Sequence, residues 1–361
     1  MALENVALPL GHRPPVVQGK SILARPFWHT DIHADRRPFL LGRNRIKAAL
    51  RGWFANEAFT EVECGAVQIS PGNETHLHGF PVLWRPEGSA EQTRYLHTSP
   101  EFAAKKLLAA GETRIVDFAR VWRNGEAGPL HAPEFTMIEW YRAHQDWQAV
   151  IADTLALART AQDAGGNGAL SWRGRTCDAN AEPEYLSCAD AFRHHAGIDL
   201  VAVLDNRDAL AAEVRCIGLA VRDDDNWSDL FSRVIVTIEP RLGQGRLTFL
   251  THYPVCEAAL ARPCADDPRW AERFEAYACG VELANGFGEL TDPVEQRRRF
   301  EADMAEKQRI YARRYPIDED FIAALAAMPP ASGVALGFDR LALLALGGTE
   351  ISQVIWTPFP A

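Results

Sequence analysis

A chain of 361 residues, 47% of them hydrophobic, can bury a sizeable core as one large domain or two ordinary ones. Its formal net charge of −10 gives no general attraction for a polyanion such as nucleic acid. No apolar run approaches the ~18 residues of a membrane span and no continuous apolar stretch opens the chain, so a cytoplasmic protein without membrane contact is expected. Seven cysteines, at 64, 177, 188, 216, 256, 264 and 279, include no C-x-x-C pair; they argue against a zinc knuckle or a disulfide framework and read as reduced packing residues.

Residues 1–41, with prolines at 9, 14, 15, 26 and 38 and few periodic apolar positions, read as an extended arm. From Gly42 to Ala58 the residues Ile46, Leu50, Trp53 and Phe54 form one helical stripe, and the strand-like FTEVE follows. Ser99 can cap a helix that has Pro100 in its first position and Gly111 just past its end, which puts Glu101 in the first turn. Strands are expected at 114–122 and 134–142, joined by a loop that holds Gly125, Gly128 and Pro129. A helix from Gln145 to Ala164 runs into a glycine break at 165–168. Beyond it the stretch to 250 is hard to read, and the acidic run Asp223 to Asp225 reads as a solvated face.

Chemistry concentrates in VWRNGEAGPLHAPEFTMIEWY, residues 121–141. Alternation on a strand places Phe135, Met137, Glu139 and Tyr141 on one face. Phe135 and Glu139 are then ~13 Å apart, a span that suits a stacked base at one end and an ammonium group at the other. An ordinary hairpin with one buried carboxylate would show the same pattern. Farther on, a two-residue turn at Ala278 and Cys279 would set Glu275 and Glu282 directly opposite each other. Two carboxylates at that spacing repel unless a cation lies between them, and oxygen ligands suit Mg²⁺.

The 121–141 segment resembles motif 2 of the class II aminoacyl-tRNA synthetases, in particular the lysyl type. SGVALGFDRLALL (332–344) is similar to motif 3, RFEAYACGVELANGFGELTD (273–292) to the lysyl-type strand pair, and TSPEFAAKKLLAAG (98–111) to a further lysyl-type segment. The helix and strand from Gly42 resemble motif 1, with Gly65 where a proline is usual. The resemblance is strongest to the free-standing lysyl-synthetase paralogues that attach lysine or (R)-β-lysine to a lysine of translation elongation factor P, because about forty residues ahead of the first helix leave no room for an anticodon-reading OB domain. It implies an α+β fold, an antiparallel sheet flanked by helices over 42–361, a homodimer, ATP and Mg²⁺ as cofactors, elongation factor P as acceptor, and no stable tRNA binding.

Carried onto this sequence, the resemblance puts ATP at Arg123, Asn124, Gly125, His131, Ala132, Phe135, Glu282, Leu283, Gly337 and Arg340. It puts the amino acid at Ser99, Pro100, Glu101, Glu139, Tyr141, Asn285, Glu289 and Ala335, and Mg²⁺ at Glu275 and Glu282. Arg123 is expected to bridge the α-phosphate and the substrate carboxylate, since a guanidinium fork spans two oxyanions. Arg340 opens a helix, where a cation is mildly unfavourable, so a γ-phosphate partner would account for it; the plain alternative pairs it with Asp339 or another acid.

Four carboxylates in one pocket, Glu101, Glu139, Glu282 and Glu289, favour a dibasic substrate. A regular strand would send Glu282 away from Glu289, so a bend or bulge over Ala284 to Gly286 is expected. Two positions depart from the lysyl pattern. Gly125 replaces a glutamate, which is displaced to Glu126, and Leu130 replaces a phosphate-binding arginine. His131 is as well suited to bracing the loop as to touching phosphate. Competing nucleotide motifs are absent: Gly19-Lys20-Ser21 has Pro14 where a P-loop needs glycine, and Gly165 to Gly168 lacks G-x-G-x-x-G spacing. His76, His78, His194 and His195 read as structural. A truncated synthetase loading tRNA, or an inactive paralogue, are the alternatives.

Overall fold

The computed structural model describes residues 25–359, so the P-loop-like Gly19-Lys20-Ser21 lies outside the described residues. Helix α1 (Thr30–Asn56) is long, and its buried stripe of Leu40, Ile46, Leu50 and Phe54 follows the helical period. The helix expected from Gly42 thus starts at Thr30, so residues 30–41 are not an extended arm, while residues 1–24 of the expected arm lie outside the described residues. Pro38 lies inside it. Burial on the C-terminal segment offsets that interruption: the Arg36 guanidinium donates to Ser352 O at 2.8 and 3.1 Å and also to Ile355 O.

The short strands β1 (Thr60–Glu61), β2 (Val67–Gln68), β3 (Pro81–Trp84) and β4 (Gln92–Leu96) come next, and β2, β4 and β3 form a small sheet of their own. Helix α2 (Glu101–Ala109) begins one residue later than expected and ends before Gly111, whose φ is +109°. Then come β5 (Arg114–Trp122), β6 (Glu134–Ala143) and α3 (Trp147–Gly165), close to where periodicity puts them. The region after α3 contains β7 (Leu170–Trp172), β8 (Arg175–Asp178), β9 (Glu184–Ser187), α4 (Cys188–Ala196), α5 (Arg207–Cys216), α6 (Trp227–Ile238), β10 (Gly245–Arg246) and β11 (Thr248–Pro254). Its helices bury a second apolar cluster around Phe192, Leu210, Phe231 and Tyr253. Asp225, expected on a solvated face, is buried and paired with Arg233 at 2.8 Å.

Strands β12 (Trp270–Ala278) and β13 (Val281–Gly288), helices α7 (Pro293–Tyr311) and α8 (Glu319–Leu325), strand β14 (Ala331–Gly337) and helix α9 (Phe338–Ala345) complete the described elements. The main sheet has the order β1-β5-β6-β14-β13-β12-β11-β9, antiparallel from β5 through β11 with parallel strands at both edges. One face carries the largest core cluster, against α1, α3 and α9. This is the expected α+β architecture. Among the described residues no helix is long and apolar enough to cross a membrane, and all seven cysteines are free. Cys216 and Cys256 are exposed, so packing accounts for the other five only.

Candidate active site

The other face of the sheet opens into a cleft of about 1140 Å³, counting its mouth. Its floor is made of small residues. In β14, Gly333 faces Tyr141 and Phe287, Ala335 faces Glu139 and Asn285, and Gly337 faces Met137. A Cβ at Gly333 would run into both the Tyr141 ring and the Glu289 carboxylate, so glycine there lets these two groups converge.

At this end, buried Glu139 accepts from Ser99 Oγ and from Tyr141 Oη, both at 2.6 Å. Lys105, one turn along α2 from Glu101 and almost wholly buried, puts its ammonium 2.5 Å from Glu101 and 2.6 Å from Glu289. The Glu289 contact is an ion contact off the hydrogen-bonding direction, since that oxygen receives no directed donor. Burial, and then the neighbouring Glu101, push the Glu139 carboxyl up to about 8. Burial raises Glu289 to about 7 in spite of Lys105. The carboxylates are therefore not balanced by an external cation alone, because Lys105 supplies one positive charge from within.

At the other end, Arg123 reaches from the close of β5. Its Nε donates to Thr98 O at 3.3 Å and its guanidinium lies over the Phe135 ring at 5.4 Å. Arg340, in the first turn of α9, donates to Leu130 O and Glu282 O and lies 3.4 Å from the Glu282 carboxylate. Its partner is not Asp339, which is buried and accepts from Arg43 at 2.7 Å and from the Thr136 amide at 2.8 Å. His131 Nε2 sits 2.7 Å from Arg340 Nη2, so the histidine braces the arginine.

The β12–β13 hairpin turns at Cys279 and Gly280, both with positive φ, rather than at Ala278 and Cys279. Glu275 consequently faces Asn285, and Glu282 faces Tyr277, so the two glutamates are not directly opposite. A bulge at Leu283, just before the expected Ala284 to Gly286, shifts the alternation. Glu282, Asn285 and Phe287 thereby share the cleft face. Glu275 accepts from Tyr253 and Tyr277 hydroxyls at 2.6 and 2.5 Å and from Arg273 at 2.6 Å. Burial and then Glu275 raise the Glu282 carboxyl. The two carboxylates are oxygen donors of the kind a hard divalent cation takes, with Glu282 the more open of the pair, since Glu275 already has Arg273 as counter-charge. No group of three or more acidic, His or Cys ligands occurs among the described residues.

A family model described as tRNA synthetases class II (D, K and N) matches residues 24–361. Proteins named elongation factor P (R)-β-lysine ligase are similar over most of their length. The one from Pectobacterium atrosepticum is 40% identical over 88% of this chain and 93% of its own. The Sodalis glossinidius and Yersinia enterocolitica proteins are each 39% identical over 88% of this chain and 93% and 94% of theirs. The chain belongs to the class II synthetase family, in the branch of these ligases.

Of the residues that the family resemblance assigns, Ser99, Glu101, Arg123, His131, Ala132, Phe135, Glu275, Glu282, Leu283, Asn285, Ala335, Gly337 and Arg340 line the cleft. Glu139, Tyr141 and Glu289 lie buried beneath it. Pro100 lines a small adjoining cavity instead. Asn124 and Gly125 are not on the cleft wall. Asn124 gives its amide to His78 O, Gly125 is exposed with φ +91°, and the next residue, Glu126, is the one that lines the cleft, 3.7 Å from Arg123. Lys105, Arg273, Arg43 and Asp339 were not anticipated. The i,i+4 spacing of Glu101 and Lys105 was a usable signal; the reach of Arg43 to Asp339 was not. The histidines behave structurally: His76 bonds Tyr311 at 2.9 Å, His78 packs on the same ring, and His194 and His195 end α4.

Proposed function

We propose that this enzyme activates (R)-β-lysine, or lysine, with ATP and transfers the acyl group to a lysine side chain of elongation factor P. The observation that carries this reading is the division of the cleft into an acidic end, formed by Glu101 on the wall and the buried Glu139, Tyr141 and Glu289 with one internal cation, Lys105, and a cationic end formed by Arg123 and Arg340. A dibasic amino acid would place its far ammonium between Tyr141 and Glu289 and its carboxylate at Arg123. A carboxylate oxygen then attacks the α-phosphorus, forming an O–P bond as pyrophosphate leaves. The acceptor amine, having lost a proton, attacks the acyl carbon and AMP departs. The protein contributes position and charge compensation, as is usual for such transfers. Phe135 on β6 offers a face to the adenine and Arg340 on α9 a partner to the γ-phosphate, with Ala132 on the cleft wall beside them; Asn124 and Gly125, off that wall, take no part. Mg²⁺ would be held by Glu275 and Glu282 and would supply compensation of phosphate charge there.

The acceptor comes from the names of the relatives and from the absence of overall attraction for tRNA. Ala335 faces the substrate backbone on the cleft floor, where a methyl group would crowd an α-amino group more than a β-amino group. A homodimer completes the reading through the likeness of α1 and β1 to motif 1, and sedimentation would test it. The decisive experiment incubates the protein with ATP, Mg²⁺, each lysine isomer and purified elongation factor P, then weighs the products. One added acyl group on the factor is expected. Efficient charging of tRNA-Lys with no transfer to the factor would overturn the reading.

A further inference from the structure

The loop between β2 and β3 carries an acid that the site description leaves unused. Its backbone is clamped from two sides. The buried Lys307 ammonium of α7 donates to the carbonyls of Glu74, Thr75 and Leu77 at 3.0, 2.8 and 2.6 Å. Thr75 Oγ1 donates to Asp303, the Asn73 amide to Pro316 O at 3.2 Å, and Thr98 Oγ1 to Pro71 O at 2.6 Å. At the tip of this rigid loop the Glu74 side chain lines both the cleft and the small adjoining cavity.

Every other acid of the amino-acid end is held. Glu101 and Glu289 share Lys105, and Glu139 has Ser99 and Tyr141. Among the described residues, nothing donates a hydrogen bond to the Glu74 carboxylate. The charged groups around it are Glu101, Arg123, Asp303, Arg273 and Lys307, whose ammonium is taken up by the loop carbonyls, and burial with the Glu101 charge raises the Glu74 carboxyl to about 7. A fixed backbone presenting an unclaimed carboxylate beside a second one describes a receptor for a cation. Its position beside Arg123 puts that cation close to the substrate carboxylate, away from the deeper Tyr141–Glu289 end.

We infer that Glu74 is a specificity-determining residue of the amino-acid site and, with Glu101, receives the substrate ammonium group nearest the activated carboxylate. The inference rests on the activation reading above. Glu74 therefore separates dibasic amino acids from 6-aminohexanoate, which keeps the carboxylate and the far amine but lacks the near one.

The test uses the full chain and two readouts, pyrophosphate exchange and calorimetric titration, with (R)-β-lysine, lysine and 6-aminohexanoate. Glu74→Gln should weaken the dibasic ligands about 10- to 100-fold in KM and Kd, as expected for a hydrogen bond between charged groups. It should leave 6-aminohexanoate binding and the KM for ATP unchanged, and Glu74→Asp should fall between the variant and wild type. A wild-type preference for dibasic ligands that survives Glu74→Gln overturns the inference. So does an equal loss of affinity for 6-aminohexanoate, which would mark Glu74 as a structural part of its loop. If wild type exchanges no pyrophosphate with any lysine isomer, yet titration shows the dibasic preference collapsing in Glu74→Gln, the activation reading falls and the assignment of Glu74 stands.

Discussion

At the amino-acid end of the cleft, Glu139, Tyr141, Glu289 and Lys105 are each 3% exposed or less and paired, Glu139 with Tyr141 and Glu289 with Lys105, whereas at the phosphate end the Arg123 and Arg340 side chains are 23% and 22% exposed. The first end holds its charges in a fixed arrangement before any ligand arrives, with a lysine built in to make that tolerable. The second keeps its guanidiniums half open: Arg123 has only a carbonyl at 3.3 Å and a carboxylate at 3.7 Å, and Arg340, braced by His131 at 2.7 Å and Glu282 O at 3.0 Å, has its carboxylate partner at 3.4 Å, which a phosphate can displace. Selectivity and charge neutralisation are thus served by different kinds of structure. A buried network discriminates because any misfit leaves a polar group unpaired, while half-open arginines adapt as charge moves from carboxylate to phosphate.

Removing the internal counter-charge should have the largest effect. Lys105→Met strips the shared cation from Glu101 and Glu289, and breaking a buried ion pair from one side costs about 3–5 kcal/mol. Denaturant unfolding should show that loss, and the loss should shrink as pH falls and the carboxylates protonate. An unchanged midpoint at pH 8 would show that the buried end does not depend on its internal cation. At the open end, Arg123→Ala should leave folding intact and remove nearly all lysine-dependent pyrophosphate exchange, a change of ~3–4 kcal/mol in transition-state stabilisation. Undiminished exchange would take Arg123 out of the site.

The same contrast separates what was legible in the sequence from what was not. Strands β5 and β6 and helix α3 have strong local periods, and the residues from Arg123 to Tyr141 lie on adjoining elements, so one segment reveals both ends of the cleft. Local capping signals also exist in the poorly read stretch, at Ser187, Asn206 and Asn226. Its place in the fold depends, however, on β9 pairing in parallel with β11 some sixty residues later, and no local pattern encodes that. The hairpin was misplaced by one residue because Cys279 takes positive φ, φ 57°, unusual for a residue other than glycine. The bulge at Leu283 offset the error by returning Glu282 to the cleft face. Lys105 was overlooked for a different reason: a buried lysine is rare enough to be read as surface unless its partners are known.

Protonation gives a third test of the comparison. Burial and then Glu101 hold the Glu139 carboxyl near 8, and burial holds Glu289 near 7, both above the ordinary carboxylate range. Because these folded-state values are raised, their contribution to stability is complete below the ordinary range and is lost as pH rises through about 7 to 8. Ammonium binding needs the ionised form, so affinity for the dibasic substrate should rise by up to about tenfold per pH unit from 6 to 8, with protons released on binding. ATP affinity, governed by arginines, should not follow. Calorimetry in buffers of different ionisation enthalpy measures the proton count, and zero release at pH 7 would contradict the buried arrangement.

The smallest effect tests whether the floor of the cleft, rather than its charges, chooses the isomer. Ala335 lies between Glu139 on β6 and Asn285 on β13, with Gly333 and Gly337 two residues to either side, so it carries the only methyl among the three floor positions described. An α-amino group bonded to the carbon beside the carboxylate would meet that methyl, whereas a β-amino group leaves the bond one carbon further along. Differences of one methyl-sized group in a pocket are worth ~1–3 kcal/mol, a 10- to 200-fold preference. Wild type should therefore favour (R)-β-lysine over lysine, and Ala335→Gly should narrow or reverse the ratio of kcat/KM by improving lysine while leaving (R)-β-lysine nearly unchanged. Because Ala335 also packs against Ala119, Val121 and Met137, the substitution opens a small void, and thermal unfolding of the same variant measures that separately. A lowered Tm with an unaltered isomer ratio would reduce Ala335 to packing and shift the discrimination to the carboxylates above it.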